Sequence, residues 1–357
     1  MRYIMVYHAS GRVTDDFPGS AKSRKEKAHP VLGGHEDNAE APICVPSTPS
    51  TGFVPSLEAM PLLALSKGEV IWRMQPCPSY GRIIRHLLTG ELAAGLLPWE
   101  LGITELVTKP AQKGVWSVPL VLHACPTELV LSAKAARLVQ PAKGQKKSDS
   151  KRLVFGIEGR CSLTRYQILA WQLQVAKKHL DPPAFKVLPM ELMRKGLEAG
   201  TLDGMVAPTP WGMQAEAEGN GKLDARFEPG KYAQQLVLFC RKDLAADHEE
   251  VFAALPSELA AMHERLEDEG EFQKVADQMA KLGTPRCDPT RLREAAERHL
   301  VGIQQKDFQP DKGWLAAELQ LLVERVPLGE GTFHVDELAA ALAPQRATYE
   351  ATASSSS

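Results

Sequence analysis

The sequence predicts an α/β protein of two lobes, because one stretch of the chain occurs twice. Residues 84–98 and 194–208 each read as a short helix, a closing glycine, a strand of small residues and a proline. Gly90 and Gly200 stand where a helix C-terminus adopts left-handed backbone, and a leucine follows two residues later in both copies. Ligands settle in crevices outside the carboxyl ends of such strands. Generic βαβ structure is the alternative explanation of the match.

Composition agrees with an aliphatic α/β interior and excludes several classes of function. Only 6% of the 357 residues are aromatic, which favours α/β packing over an aromatic-rich β-sandwich, and the length suggests two domains. A net charge of −2 offers no electrostatic reason to bind nucleic acid directly. The longest apolar runs fall far short of the roughly 20 residues that cross a bilayer, so no membrane insertion is predicted.

The six cysteines are scattered, with no Cys-x-x-Cys pair and no histidine at a metal-ligand spacing. This predicts free thiols, no metal and no cofactor. The first twelve residues contain an apolar stretch too short and too polar-flanked for a signal peptide. We therefore expect a cytoplasmic protein, or a periplasmic one if the true start differs.

The elements of the first lobe follow in order along residues 41–145. Residues 1–40 and 346–357 carry few apolar residues and are predicted to be disordered. A strand is predicted at residues 41–45, then a Pro/Ser/Thr loop over 46–55 that ends at Ser56, the N-cap of a helix over 57–65. A strand at 70–74, a helix capped by Ser79 and a strand at 92–97 complete a βαβ alternation.

The second lobe is predicted over residues 146–235. A β-rich stretch, 115–133, is separated from the strand at 153–157 by the polar, basic loop 142–151, where we place the lobe boundary. A loop over 158–164 leads into a helix that Asp181-Pro182-Pro183 ends, and a strand at 184–188 precedes the second repeat. Residues 236–241 form the strand that returns to lobe one, and the amphipathic helices from 249 to 345 cover that lobe.

This order resembles the nitrate-type, or NMT1-like, substrate-binding proteins of ABC transporters, which have the periplasmic-binding-protein type II fold. The resemblance covers roughly residues 41–330 and is carried by three segments: the helix beginning near Pro61, the turn at 89–94, and residues 199–211. It implies two lobes that close by hinge motion on a small polar or anionic ligand, without catalysis. It also implies an ABC permease or a regulatory protein as partner.

Three positions depart from the family pattern. Ala93 stands where an aspartate is common, and Thr209 stands where a glutamate usually precedes Pro-Trp. Gln234-Gln235-Leu236 occupies the region where nitrate binders carry a lysine. The missing lysine argues against nitrate as the ligand.

The first candidate site is the loop after the first strand. Hydroxyls and backbone amides of Ser47, Thr48, Ser50 and Thr51 could wrap a small polar ligand there. An ordinary Pro/Ser/Thr turn is the alternative.

The second group consists of residues just past the two repeated strands. Trp99 and Glu100 follow the first of these strands, and Thr209 and Trp211 follow the second, so they should face each other across the cleft. Trp99 offers a flat wall and one N–H donor, whereas we favour a packing role for Trp211. Glu100 would repel an anion, which indicates a cationic or neutral ligand or a side chain turned to solvent.

The third group lies on a strand-to-helix turn of lobe two. Arg160, Ser162 and Thr164 stand at a helix N-terminus, which favours negative charge and offers free amides to an anion. Ser162 or Thr164 as a simple helix cap is the alternative.

Two other functions remain open. NMT1-like relatives include thiamine-pyrimidine synthases, so an enzyme on the same fold is one alternative, although the sequence has no G-x-S-x-G elbow, P-loop or G-x-G-x-x-G phrase. A degenerate scaffold that binds a protein partner is the other.

Overall fold

A computed structural model describes residues 50–65, 73–107, 114–125, 127–139, 152–159, 162–176, 180–228, 234–282, 288–300, 310–325 and 334–343. All of them belong to one compact unit. The predicted disordered ends, the strand at 41–45 and the loop 142–151 lie outside the described residues. No helix within these ranges is both long enough and apolar enough to cross a membrane.

The strands of the described residues form two sheets. In chain order they are β1 (Ser50–Phe53), β2 (Arg73–Pro76), β3 (Ala94–Pro98), β4 (Trp116–Cys125), β5 (Thr127–Leu131), β6 (Arg152–Ile157), β7 (Asp181–Val187), β8 (Gly204–Pro208), β9 (Lys222–Leu223) and β10 (Gln234–Arg241). The first sheet has the order β2-β1-β3-β10-β4 and the second β7-β6-β8-β5-β9. We call the first sheet, with the helices packed on it, lobe one, and the second sheet, with its helices, lobe two.

Helices connect and cover these strands. They are α1 (Met60–Leu65), α2 (Tyr80–Leu88), α3 (Trp99–Gly102), α4 (Ala133–Leu138), α5 (Thr164–Ala176), α6 (Met190–Glu198), α7 (Trp211–Ala217), α8 (Lys242–Asp247), α9 (Glu249–Arg265), α10 (Glu269–Lys281), α11 (Pro289–Leu300), α12 (Lys312–Arg325) and α13 (Val335–Leu342). A 3₁₀ turn over Leu57–Ala59 leads into α1, and a π-helical turn over Ile103–Val107 follows α3.

The two sheets share one topology. β1 pairs in parallel with β2 and β3, and β10 lies antiparallel beside β3. In lobe two, β6 pairs in parallel with β7 and β8, and β5 lies antiparallel beside β8. The predicted two-lobed α/β fold is therefore confirmed.

The repeated stretch occupies equivalent places in the two lobes. Gly90, two residues after the end of α2, has φ 73°, and Gly200, two residues after the end of α6, has φ 67°. The amide of each glycine donates back to its own helix. Leu92 and Leu202 follow, both buried, and lead into β3 and β8. The helix, glycine and strand predicted from the sequence are confirmed in both copies.

Three local predictions were wrong, each because tertiary pairing decides the element. Residues 50–53, predicted as loop, form β1, which is wholly buried between β2 and β3. Asp181-Pro182-Pro183, predicted to end a helix, begins β7, whose only sheet partner within the described residues is β6. Prolines are tolerated on such an edge because no ladder bond needs their amide.

The third correction concerns the lobe boundary. β5 pairs with β8 and β9 of the second sheet, so the chain changes sheets between Cys125 and Thr127. The β-rich stretch at 115–133 is thus divided between the lobes, and the basic loop at 142–151 comes after the crossing. β10 returns to pair with β3 and β4, as predicted. Among the later helices, α9 and α10 pack against α1, and α13 packs against β4.

Candidate functional site

The carboxyl ends of the central strands of both lobes meet at one junction. After β1, the Leu57 amide donates to the Thr209 carbonyl oxygen at 2.9 Å. Trp211 Nε1 donates to the Pro55 carbonyl oxygen at 2.8 Å. Thr209 and Trp211 therefore lie against lobe one, as their position after β8 predicted, and Trp211 is part of the contact that joins the lobes.

A second contact across the junction involves Glu100, the residue after Trp99 in α3. Its side chain is fully buried, and Oε1 accepts from the Leu163 amide of lobe two at 3.1 Å. Leu101 packs so closely on Gly159 that a Cβ there would lie 2.5 Å from Leu101 Cδ2. A solvent-facing Glu100 was one of the two expectations, and it is wrong.

Side chains of the protein itself occupy the N-terminus of α5. Ser162 Oγ accepts from the Thr164 amide at 3.2 Å and donates to Thr164 Oγ1, which donates in turn to Glu158 Oε1 at 2.8 Å. The Ser162 carbonyl accepts from the Arg165 amide. Ser162 thus caps the turn that opens α5, which agrees with the alternative that Ser162 or Thr164 is a simple helix cap. Arg160 lies outside the described residues.

The predicted hydroxyl loop is only partly described. Ser47 and Thr48 lie outside the described residues, and Ser50 and Thr51 lie within β1, before its carboxyl end. Ser56 comes after that end and is wholly buried. It occupies the predicted N-cap position, but its side chain makes no capping bond, and within the described residues Oγ has no hydrogen-bond partner. The sequence placed Ser56 correctly without revealing this unpartnered hydroxyl.

Trp99 is packed more deeply than its predicted position at the cleft implied. Its ring stacks on Phe239 with centroids 6.1 Å apart and lies 5.7 Å from the Trp314 ring of α12. The side chain is buried, and Nε1 has no hydrogen-bond partner among the residues that the structure describes. The ring therefore serves packing between β10 and α12.

Glu128 on β5 is a titratable group that the sequence analysis missed. Burial raises its pKa from 4.5 to about 7, against the opposing effects of the Met213 and Gly212 amides, the Thr209 hydroxyl and the charge of Arg291. Oε2 accepts from the Met213 amide at 3.1 Å. Arg291 of α11 also pairs with Glu216 of α7 at 2.7 Å. The partners of Glu128 come from distant parts of the chain, so sequence spacing gave no signal for them.

We expect stability to fall as pH rises from about 5 to 7, because folded Glu128 then binds a proton that the unfolded chain has lost. The loss is complete near pH 8, about one unit above the folded pKa of about 7, where Glu128 is ionised in both states. The free energy of unfolding of Glu128→Gln, relative to that of the wild type, should therefore increase by up to about 3 kcal/mol between pH 5 and pH 8. Urea unfolding at both pH values measures the gain. Glu198→Gln, on the exposed end of α6, is the control, and a Glu128→Gln curve parallel to that of the wild type would contradict the assignment.

Within the described residues, no cluster of three histidine, cysteine, aspartate or glutamate side chains could hold a metal ion. Cys77 and Cys240 are free and buried, and burial raises the pKa of both thiols.

Two lobes of one topology, joined at the carboxyl ends of their central strands, define the two-lobed class of periplasmic-binding-protein type II folds.

The chain belongs to the NMT1-like family, whose model matches residues 50–280. A search of curated proteins found no match.

Solved structures share the fold at low sequence identity. The periplasmic nitrate-binding protein of Synechocystis PCC 6803 is 12% identical, with a TM-score of 0.59 over 83% of this chain and 86% of that one. The ligand-binding component of an ABC-type import system from Staphylococcus aureus, solved with zinc bound, is 16% identical, with a TM-score of 0.58 over 82% and 97%. The alkanesulfonate-binding protein of Xanthomonas axonopodis pv. citri, bound to MOPS, is 14% identical, with a TM-score of 0.57 over 83% and 98%.

Proposed function

We propose that this protein binds a small polar or anionic solute at the junction of its lobes and does not transform it. It would act as the receptor of an ABC permease or as a cytoplasmic sensor coupled to a regulatory protein. Membership of the NMT1-like family and the fold shared with nitrate- and alkanesulfonate-binding proteins support this function. The site is formed by the carboxyl ends of β1, β3, β6 and β8.

Two buried polar groups in lobe one carry the proposal. Ser56 Oγ and Trp99 Nε1 follow the ends of β1 and β3, and neither has a hydrogen-bond partner within the described residues. A buried polar group left unpaired costs about 1–3 kcal/mol. A solute that accepts a hydrogen bond from the indole and bonds the hydroxyl would remove this cost, and the free energy recovered would favour binding of a polar ligand at the junction.

A thermal-shift screen tests the proposal directly. The panel comprises nitrate, sulfate, ethanesulfonate, amino acids, pyrimidines and polyamines. A solute that binds only the folded state at 100 times its Kd adds about 2.7 kcal/mol of stability, which is readily seen as a rise in Tm. Recovery of the solute unchanged after incubation supports binding without catalysis, whereas its turnover would favour an enzyme.

Ser56→Ala should separate ligand binding from folding. Removing a hydroxyl that has no hydrogen-bond partner among the described residues should leave the ligand-free protein as stable as the wild type or more stable by about 1 kcal/mol. Loss of one hydrogen bond to the solute should weaken its binding about tenfold. Calorimetric titration with the solute identified in the screen, together with the Tm of the free protein, measures both effects.

Thr51→Val is the matched control for Ser56→Ala. Thr51 Oγ1 is also buried without a hydrogen-bond partner among the described residues, but it lies within β1, two residues before the strand ends. Its replacement should give a similar stability change and a smaller loss of affinity. Equal affinity in Ser56→Ala and the wild type would remove Ser56 from the site.

A protein-binding scaffold is the second candidate function, and one observation favours it. The polar groups at the N-terminus of α5 are hydrogen-bonded to Glu100, Ser162 and Glu158 of the same chain. Fewer groups of the junction are therefore free to bind a solute. If no compound in the panel raises Tm, this second function gains and solute binding loses.

A further inference from the structure

We propose that Glu100 acts as an internal anion that determines which solutes the site accepts. Its carboxylate, supplied by lobe one, occupies the position at the N-terminus of α5 in lobe two that the oxygen of a bound anion would take. Free oxyanions are therefore excluded from this position. The inference deepens the proposed function, on which its biological meaning rests, but its test requires no natural ligand.

The geometry places a carboxylate where the backbone favours one. Glu100 Oε1 accepts from the Leu163 amide at 3.1 Å, directly before α5 begins at Thr164. The partial positive charge of a helix N-terminus attracts anions, and a 13-residue helix presents several aligned peptide dipoles. Full burial of Glu100 removes competing water but also penalises its charged form, so the inference requires that the Leu163 amide and the helix dipole outweigh the desolvation of the carboxylate.

A second, independent contact shows that lobe one is fitted to this turn. Leu101 packs against Gly159, where even one methyl group would come within 2.5 Å of Leu101 Cδ2. Glu100 is therefore held between two closely packed backbones, β3–α3 on one side and β6–α5 on the other. A small oxyanion cannot bind the Leu163 amide unless the carboxylate withdraws.

Specificity follows from this occupancy. A solute must bind beside Glu100 through hydroxyl, amide or amine groups, or displace the carboxylate. The proposed ligand is thereby narrowed to polar solutes whose anionic group, where they have one, lies away from α5.

Chemical rescue by acetate tests the inference. Glu100→Ala should lower Tm and create a space the size of a carboxylate at the Leu163 amide. Sodium acetate should then raise the Tm of Glu100→Ala by about 2–4 °C over sodium chloride at the same ionic strength, with saturation. The wild-type protein, whose position is already filled, should show no difference between the two salts.

Glu100→Gln is the matched control and keeps the test decisive if Glu100→Ala does not fold. Glutamine fills the space and retains an acceptor for the Leu163 amide, so acetate should not raise its Tm above chloride. Because it lacks the charge, its Tm should still fall below that of the wild type, whereas a role as a mere hydrogen-bond acceptor would leave Tm unchanged.

Two results would overturn the inference: equal acetate effects in Glu100→Ala and the wild type, or a Glu100→Gln variant with wild-type Tm. Rescue by acetate together with an empty solute screen would show that the Glu100 carboxylate fills an anion position but would reject solute binding, and with it a role of Glu100 in specificity. A solute hit without acetate rescue would support solute binding and reject the role assigned to Glu100.

Discussion

Leu92→Ala and Leu202→Ala should each lower the free energy of unfolding by about 2–5 kcal/mol, measured by urea denaturation. Both side chains are 1% exposed and occupy the same step of the repeat in the two lobes. Each packs over a glycine of the neighbouring strand, Gly52 in β1 and Gly156 in β6. The two truncations therefore open equivalent cavities, and similar costs are expected.

Glycine substitutions measure how specific this packing is. A Cβ on Gly52 would lie 2.5 Å from Leu92 Cδ1, and its next neighbours, on Ile83, are at 3.3 Å. Leu92→Ala should therefore relieve most of the clash that Gly52→Ala creates. The double variant should be less destabilised than the sum of the single variants, with a coupling of about 1–3 kcal/mol.

The equivalent pair in lobe two should couple less strongly. A Cβ on Gly156 would meet Met193 Cγ at 2.8 Å as well as Leu202 Cδ1 at 2.9 Å, so removing the leucine relieves only one of two clashes. Gly52→Ala combined with Leu202→Ala, in different lobes, is the control and should be additive within about 0.5 kcal/mol. Additive costs for Gly52→Ala and Leu92→Ala would contradict the packing described.

The repeat could be predicted from the sequence because its signals are local. A glycine that ends a helix, a leucine two residues later and a proline at the end of a strand act within a few residues of one another. The same holds for Ser79, whose side chain caps α2 by accepting from the Arg82 amide. Such bonds depend little on the rest of the fold.

β1 and β5 could not be placed by local signals. Ser50–Phe53 has the composition of a turn, and only its position between β2 and β3 makes it a buried strand. β5 follows β4 after a single residue, yet the two strands belong to different sheets. Sheet membership depends on partners far along the chain, which hydrophobic pattern alone does not identify.

The sequence proposed the residues of the candidate site one by one and gave no signal for the contacts between them. Glu100 and the turn before α5 were both candidates, considered separately: one as a charge unsuited to anions, the other as a place for an anion. The hydrogen bond from Leu163 to Glu100 joins residues 63 positions apart. Under the inference drawn above, the two expectations are compatible, because the Glu100 carboxylate is itself the anion at that turn.

Trp99→Ala should be among the most destabilising changes in the protein, with a loss of about 3–5 kcal/mol. The indole fills the space between Phe239 of β10 and Trp314 of α12, and it begins the short helix that carries Glu100. Truncation would leave a cavity beneath α3 and loosen the contact with lobe two. Urea unfolding followed by circular dichroism measures the loss.

Trp99→Phe separates the packing of this ring from its N–H group. Phenylalanine keeps an aromatic ring against Phe239 and removes a buried donor that has no partner among the described residues, so the net stability change should be within about 1 kcal/mol. Solute binding should nevertheless weaken, and the change in tryptophan emission on binding should largely disappear.

Trp116→Phe is the matched control for the indole N–H. Trp116 Nε1 is also buried without a partner within the described residues, but Trp116 pairs with Arg241 at the end of sheet one opposite the junction. Its replacement should change stability as Trp99→Phe does and leave solute affinity as in the wild type. Equal affinities in Trp99→Phe and Trp116→Phe would show that the Trp99 N–H lies outside the site, so that Trp99 contributes to the protein only through packing.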